Sequence, residues 1–201
     1  MKLQFDANLH YQEQAVSAVV DLFRGQTPKQ SNFTVTNLSD QGTMFTDNGV
    51  GNRLELVEDE ILENLQAVQL RNGLPQTKTL KKGAYDFDIE METGTGKTYV
   101  YLRTIFELNK AYGFKKFIIV VPSIAIKEGV AKSLEITREH FQTVYESVVY
   151  DTYIYDGSRP EDVRSFAVND NISIMVLNIA AFRKSFDDPE KENKANIIHR
   201  A

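Results

Sequence analysis

The chain of 201 residues contains no cysteine. That absence removes disulfide scaffolds, thiolate zinc sites and thiol nucleophiles, and it is compatible with a reducing compartment. Basic residues are not in excess either: 23 Lys and Arg stand against 28 Asp and Glu, for a net charge of -5. The chain therefore has no global electrostatic footprint for nucleic acid, and any such contact must come from local basic positions or from parts outside this chain. No stretch approaches the ~20 apolar residues of a membrane span, and the opening MKLQFDANLH lacks the apolar run of a signal peptide. A cytoplasmic protein with no membrane partner is expected. The three histidines, His10, His140 and His199, show no metal-ligand spacing. What remains is ordinary globular material, 42% hydrophobic and 25% charged, with one domain as the default.

One stretch stands out from that background, METGTGKT at residues 91–98. Gly94 and Gly96 open dihedrals closed to other residues, so that successive backbone N–H groups can converge on phosphate oxygens where a helix begins. The helix N-terminus adds partial positive charge. Thr93, Gly94, Thr95, Gly96, Lys97 and Thr98 form the candidate cradle; Lys97 would reach the β- and γ-phosphates of a nucleoside triphosphate, and the Thr98 hydroxyl would ligate its Mg²⁺. The pattern G-x-x-x-x-G-K-[ST] asks for Gly where Met91 stands. Glu92 is expected to turn its carboxylate away from the phosphates, since like charges repel.

The flanks fit that reading. Upstream, Tyr85, Phe87, Ile89 and Met91 alternate with acidic residues, which predicts a strand; downstream, residues 98–112 carry helical spacing ending at Gly113. Further helices are predicted over residues 9–24, 58–72, 125–141 and 159–168, and apolar strands over 115–121, 147–155 and 172–177, with a short helix holding Phe182 after Asn178. The run at 115–121 is expected to be buried on both faces. Residues 26–57 read as an irregular insertion with one or two short strands, and Asn48-Gly49 as its hairpin turn. Alternating strands and helices imply a parallel α/β sheet with helices on both faces, unfinished at Ala201. Ligands gather at the carboxyl ends of such strands, which selects residues 93–98, 122–127 and 178–184. In the first turn of the 9–24 helix, Tyr11 and Gln12 suit stacking on a flat base and hydrogen bonding along its edge.

Residues 89–130, IEMETGTGKTYVYLRTIFELNKAYGFKKFIIVVPSIAIKEGV, resemble the Res subunit of type III restriction enzymes, whose motor belongs to the superfamily two helicases. YQEQAV at 11–16, VQLRNG at 68–73 and ISIMVLNIAAFRK at 172–184 extend the likeness over most of the chain. The resemblance implies a P-loop RecA-like doubly wound fold, with residues 1–201 as the N-terminal part of the first helicase ATP-binding domain. It places Tyr11 and Gln12 at the adenine-recognising position, although Leu9 and His10 stand where related helicases often have Arg-Pro. It makes 93–98 motif I, and it lines a nucleic-acid track with Pro122, Ser123 and Lys127, to which Asn178, Phe182 and Arg183 are weaker additions. It further implies ATP and Mg²⁺ as cofactors, double-stranded DNA and a Mod methyltransferase subunit as partners, and an ATP-dependent site-specific deoxyribonuclease as the parent protein. The family's acidic Walker B pair, second RecA-like domain and nuclease have no counterpart before Ala201, so a chain inactive by itself is expected. Another superfamily two helicase, and a truncated docking module without catalysis, are the alternatives. A P-loop phosphotransferase would need an arginine-bearing lid after the loop, where this chain offers VVPSIAIKEGV.

Overall fold

The structure is a computed structural model and describes residues 9–38, 44–81 and 85–181. In chain order the elements are α1 (His10–Val20), β1 (Gln30–Leu38), β2 (Met44–Asn52), α2 (Glu58–Arg71), α3 (Lys97–Tyr112), β3 (Lys116–Val121), α4 (Ile124–Ile136), α5 (Arg138–Val144), β4 (Tyr150–Ile154), α6 (Pro160–Val168) and β5 (Ile172–Asn178). The chain divides into two compact units, the first Met1–Lys29 with Arg53–Phe114, the second Gln30–Asn52 with Lys115–Ala201. No helix among the described residues is long and apolar enough to cross a membrane.

The first unit is helical. Helix α3 turns Val100, Leu102, Ile105 and Phe106 inward, against α1 with its buried Val16. Each fully buried aliphatic or phenyl group of this kind contributes roughly 1.5–3 kcal/mol. Gly113 ends α3 in the left-handed region, its N–H returning to the Asn109 carbonyl at 2.8 Å. The Tyr112 hydroxyl donates to the Val20 carbonyl at 3.0 Å, fixing the end of α3 to the end of α1. From α2, Ile61 is buried, and the Asn64 amide donates to the Leu22 and Arg24 carbonyls. The buried Gln26 amide donates to the Arg53 carbonyl and accepts from the Glu55 N–H, so the chain leaves and re-enters this unit at one place.

Residues 85–91 correct an expectation. The stretch alternates as a strand should, yet it forms none, and Tyr85 and Ile89 are about half exposed. Alternation prescribes which side chains share a face; a ladder also needs a neighbour whose N–H and C=O groups are in register, and none of the described residues supplies one.

The second unit contains a parallel three-stranded sheet in the order β3-β5-β4 and an antiparallel hairpin, β1-β2. Central β5 is buried from Ile172 to Leu177, as a strand paired on both edges and covered on both faces should be. The β3–α4–β4 and β4–α6–β5 crossovers run in opposite directions, so right-handed connections assign α4 and α6 to opposite faces. Val163 and Phe166 of α6 pack with Tyr153, Met175 and Leu177. This is a mixed α/β fold with a parallel sheet, consistent with a RecA-like helicase domain. Strand β3 is not buried on both faces as expected: among the described residues it is an edge strand, with Ile118 55% and Val120 48% exposed.

Two further expectations change. The single helix predicted over 125–141 is two, separated at the buried Thr137, whose hydroxyl donates to the Ser133 carbonyl at 2.7 Å. Such back-bonding competes with regular helix and bends it. Asn48-Gly49 is not a turn but lies inside β2, with Gly49 opposite Phe33. A Cβ on Gly49 would fall 2.4 Å from the Phe33 ring, so glycine is there to admit the phenyl group across the strands. Asn52 joins the hairpin to the sheet edge: its Oδ1 accepts from the Lys115 and Lys116 N–H groups at 2.8 and 3.0 Å, and its Nδ2 donates to the Lys116 carbonyl at 2.7 Å.

Candidate functional site

In the first unit the loop at 93–98 has the backbone its glycines predict. Gly94 and Gly96 have φ of 83° and 84°, in the left-handed region. Gly96 caps α3, and its carbonyl receives the Val100 N–H at 3.0 Å. The N–H groups of the first helical turn have no partner within the helix and carry its positive dipole end. Two side chains close the loop on itself: the Thr95 hydroxyl donates to the Glu92 carbonyl at 2.7 Å and the Lys97 ammonium to the same oxygen at 2.8 Å. Glu92 thus contributes its carbonyl while its side chain is exposed.

Gln12 reaches this loop from α1. The Leu9 carbonyl accepts the Gln12 and Glu13 N–H groups at 2.9 and 3.0 Å, which sets the first turn of α1 and aims residue 12 inward. Gln12 is 5% exposed, its Nε2 donates to the Thr95 carbonyl at 2.9 Å, and its Oε1 has no hydrogen-bond partner among the described residues. A Cβ on Gly96 would lie 2.7 Å from that Nε2, so glycine there serves both the dihedral and the close approach, whereas Gly94 has open space beside it. Tyr11, 45% exposed, lines an open cavity of about 1250 Å³ between α1, α2 and residues 85–95. The cavity reaches Thr93, Gly94 and Thr95 but not Lys97 or Thr98, so it offers space beside the loop rather than the cradle itself. Met91, the departure from the usual pattern, also lines it.

The other predicted residues belong to the second unit, at the carboxyl ends of its strands. Pro122 and Ser123 follow β3; the Ser123 hydroxyl accepts the Ile126 N–H at 3.3 Å and so caps α4. The Lys127 ammonium donates to the Tyr155 carbonyl at 3.1 Å, tying α4 to the end of β4. Asn178 closes β5 opposite Val121. Phe182 and Arg183 lie outside the described residues. Sequence reasoning passed over one loop at this edge, residues 155–159. There Asp156 accepts hydrogen bonds from the Ser158 N–H and hydroxyl, which hold its carboxyl below the ordinary range. The signal was present, since Asp156-Gly157 follows an apolar segment and so marks a strand end. The structure thus gathers Tyr11, Gln12 and 93–98 within one unit, and Pro122, Ser123, Lys127 and Asn178 within the other.

A family model described as "Type III restriction enzyme, res subunit" matches residues 8–199. The chain belongs to this family. Among curated relatives of this Res-family chain, the Res subunit of the type III restriction-modification enzyme EcoPI from Escherichia phage P1 is 32% identical over 192 residues, which is 87% of this chain and 19% of that one. The EcoP15I Res subunit from Escherichia coli is 31% identical over 191 residues, 86% of this chain and 19% of that one. The StyLTI Res subunit from Salmonella typhimurium strain LT2 is 41% identical over 88 residues, 43% and 9% of the two chains. The Res-family chain therefore spans about a fifth of the length of the first two relatives.

Proposed function

We propose that this Res-family chain is the ATP-binding part of a DNA-translocating, helicase-like motor, and that the whole protein couples ATP hydrolysis to movement along double-stranded DNA and to its cleavage. The observation that carries the reading is the Gly94–Gly96 turn: two left-handed residues deliver Lys97 and Thr98 to the first turn of α3, at the positive end of its dipole. Such a turn accepts a phosphate chain. The Lys97 ammonium would exchange the Glu92 carbonyl for phosphate oxygen, and Gln12 would hold the loop backbone while its Oε1 is available to a base edge. Tyr11 beside it would stack on the base. Mg²⁺ of the bound nucleotide would take the Thr98 hydroxyl as its ligand from this chain. ATP and Mg²⁺ supply the transferable phosphoryl group and its charge neutralisation; the chain supplies the cradle.

The strand-end loop of the second unit would carry DNA. Ser123 uses a lone pair for its cap and keeps its hydrogen to donate to a phosphate, and Lys127 supplies a cation at the N-terminal end of α4. A Mod methyltransferase subunit would be the partner that reads the DNA site, and the cytoplasm the compartment. The reading is tested by titrating the protein with a fluorescent ATP analogue. Lys97→Ala should reduce affinity at least ~10-fold, the scale of one charge-assisted phosphate contact, with an unchanged far-UV spectrum. Equal affinity in the variant would reject the phosphate role.

A further inference from the structure

Helix α1 starts after Leu9, whose side chain offers no cap. An uncapped first turn frays readily, so its order depends on tertiary contacts. Gln12 stands in that turn and must stay in place for its amide to reach the Thr95 carbonyl. At the far end of α1 the Tyr112 hydroxyl ties the Val20 carbonyl to α3. Near the first turn the matching contact is ionic. Arg103 of α3 brings Nη2 to 3.8 Å from Glu13 Oε1 of α1, and its Nε lies 4.0 Å from Glu107 Oε1, one turn further along α3.

The Arg103 side chain is 14% exposed and that of Glu13 45%, so the cation is the buried member and the carboxylate reaches in to it. A cation so far out of water is costly unless carboxylates compensate it, which draws Glu13 toward α3. The Gln12 and Glu13 N–H groups both return to the Leu9 carbonyl, at 2.9 and 3.0 Å, so a displacement of Glu13 is shared by Gln12. We propose that Arg103 is a positioning residue: by holding Glu13 it keeps the first turn of α1 against α3, and so keeps Gln12 on the glycine loop with its Oε1 available to a bound base. The inference rests on the nucleotide reading of the loop.

The test compares affinity for a fluorescent ATP analogue in the full-length protein carrying Arg103→Met, Glu13→Gln and Gln12→Ala, alone and combined. Arg103→Met and Glu13→Gln should each weaken binding about 3-fold, the scale of an ion pair with one exposed partner. Arg103→Lys should recover most of the loss, because the cation is kept. In a Gln12→Ala background neither substitution should cost anything further, since the residue they act through is gone. A loss that persists in that background overturns the proposal. Unchanged affinity in the single variants, with only the thermal midpoint lowered, also overturns it and makes the pair part of helix packing. Glu13→Gln, at a half-exposed position, keeps the test decisive if Arg103→Met does not fold. Unchanged affinity in Lys97→Ala defeats the nucleotide reading instead. Hydrogen exchange of residues 10–16 without nucleotide then decides the positioning by itself: it should quicken in Glu13→Gln, and an unchanged rate overturns the role of Arg103.

Discussion

Gln12 donates its side-chain amide to the carbonyl of Thr95 at 2.9 Å, a contact between residues 83 apart in sequence. It ties the first turn of α1 to the backbone of the glycine loop. Nothing local to either residue would bring them together.

That contact makes the loop's geometry depend on residue 12. Gln12→Ala removes a buried hydrogen bond whose net value is about 1 kcal/mol and leaves the Thr95 carbonyl without this donor. Thermal midpoint should fall by a few degrees, and ATP-analogue affinity should drop roughly 5-fold, since ~1 kcal/mol is worth about that factor. A full-affinity variant in equilibrium titration would show that the clamp does not shape the site.

Gly96 and Gly94 should respond differently to alanine. Both have positive φ, which costs a non-glycine residue about 1–2 kcal/mol, but only at Gly96 does the added Cβ meet another side chain, 2.7 Å from Gln12 Nε2. Gly96→Ala should therefore destabilise more than Gly94→Ala in urea denaturation. The excess should vanish in a Gln12→Ala background, leaving the two glycine variants alike. Equal costs in the parent chain would mean that the approach of Gln12 is not tight.

Lys127 is expected to act on DNA through charge. In the complete protein, Lys127→Ala should weaken DNA binding and reduce the slope of log affinity against log salt by about 1. The same substitution removes the Lys127 hydrogen bond to the Tyr155 carbonyl, so stability should fall slightly as well. An unchanged salt slope with lowered stability would assign Lys127 to the fold alone.

Lys116 sets a pH dependence in the second unit. Its ammonium donates to the Phe166 and Asn169 carbonyls and to Ser173 Oγ, and lies over the Phe166 ring. Burial lowers its pKa from 10.5 to about 8, with Asp170 and Asp151 opposing and Lys115 reinforcing. The folded pKa lies below the unfolded one, so above pH 8 the unfolded chain holds a proton that the folded chain has released. Stability should rise with pH over that range. Tyr101, Tyr112, Tyr150 and Tyr155 are pushed above their ordinary value by burial, so they oppose the climb as the unfolded phenols begin to ionise, and stay out of the window only below about 9. Urea midpoints from pH 7.5 to 9 should climb, by less than the full shift because solvent screens a half-exposed amine, and Lys116→Met should flatten the climb. A slope of the opposite sign would mean that its three acceptors outweigh burial.

Local chemistry accounts for what could be read from the chain before folding. The helices α1, α2 and α3 follow apolar spacing of about 3.6, and Gly113 stops α3 because only glycine accepts that dihedral cheaply. The glycine loop and the placement of Lys97 and Thr98 at a helix start are equally short-ranged, being set by neighbours within a few residues. Likewise the apolar run at 172–177 became the buried central strand it reads as.

Pairing and approach were decided only in three dimensions. Residues 85–91 carry a strand's alternation but not its ladder, and β3 carries an apolar run yet sits at an edge, because neither pattern names a neighbour. Asn48-Gly49 has the composition of a turn, but the Phe33 ring across the strands claims the space that glycine leaves. Gln12 on Thr95 and Lys127 on Tyr155 are contacts across long separations. The amino-acid sequence determined which backbone torsions and charges were available at each position. Tertiary structure determined which distant groups satisfied them, because a buried hydrogen-bonding group must find a partner and local sequence does not say where.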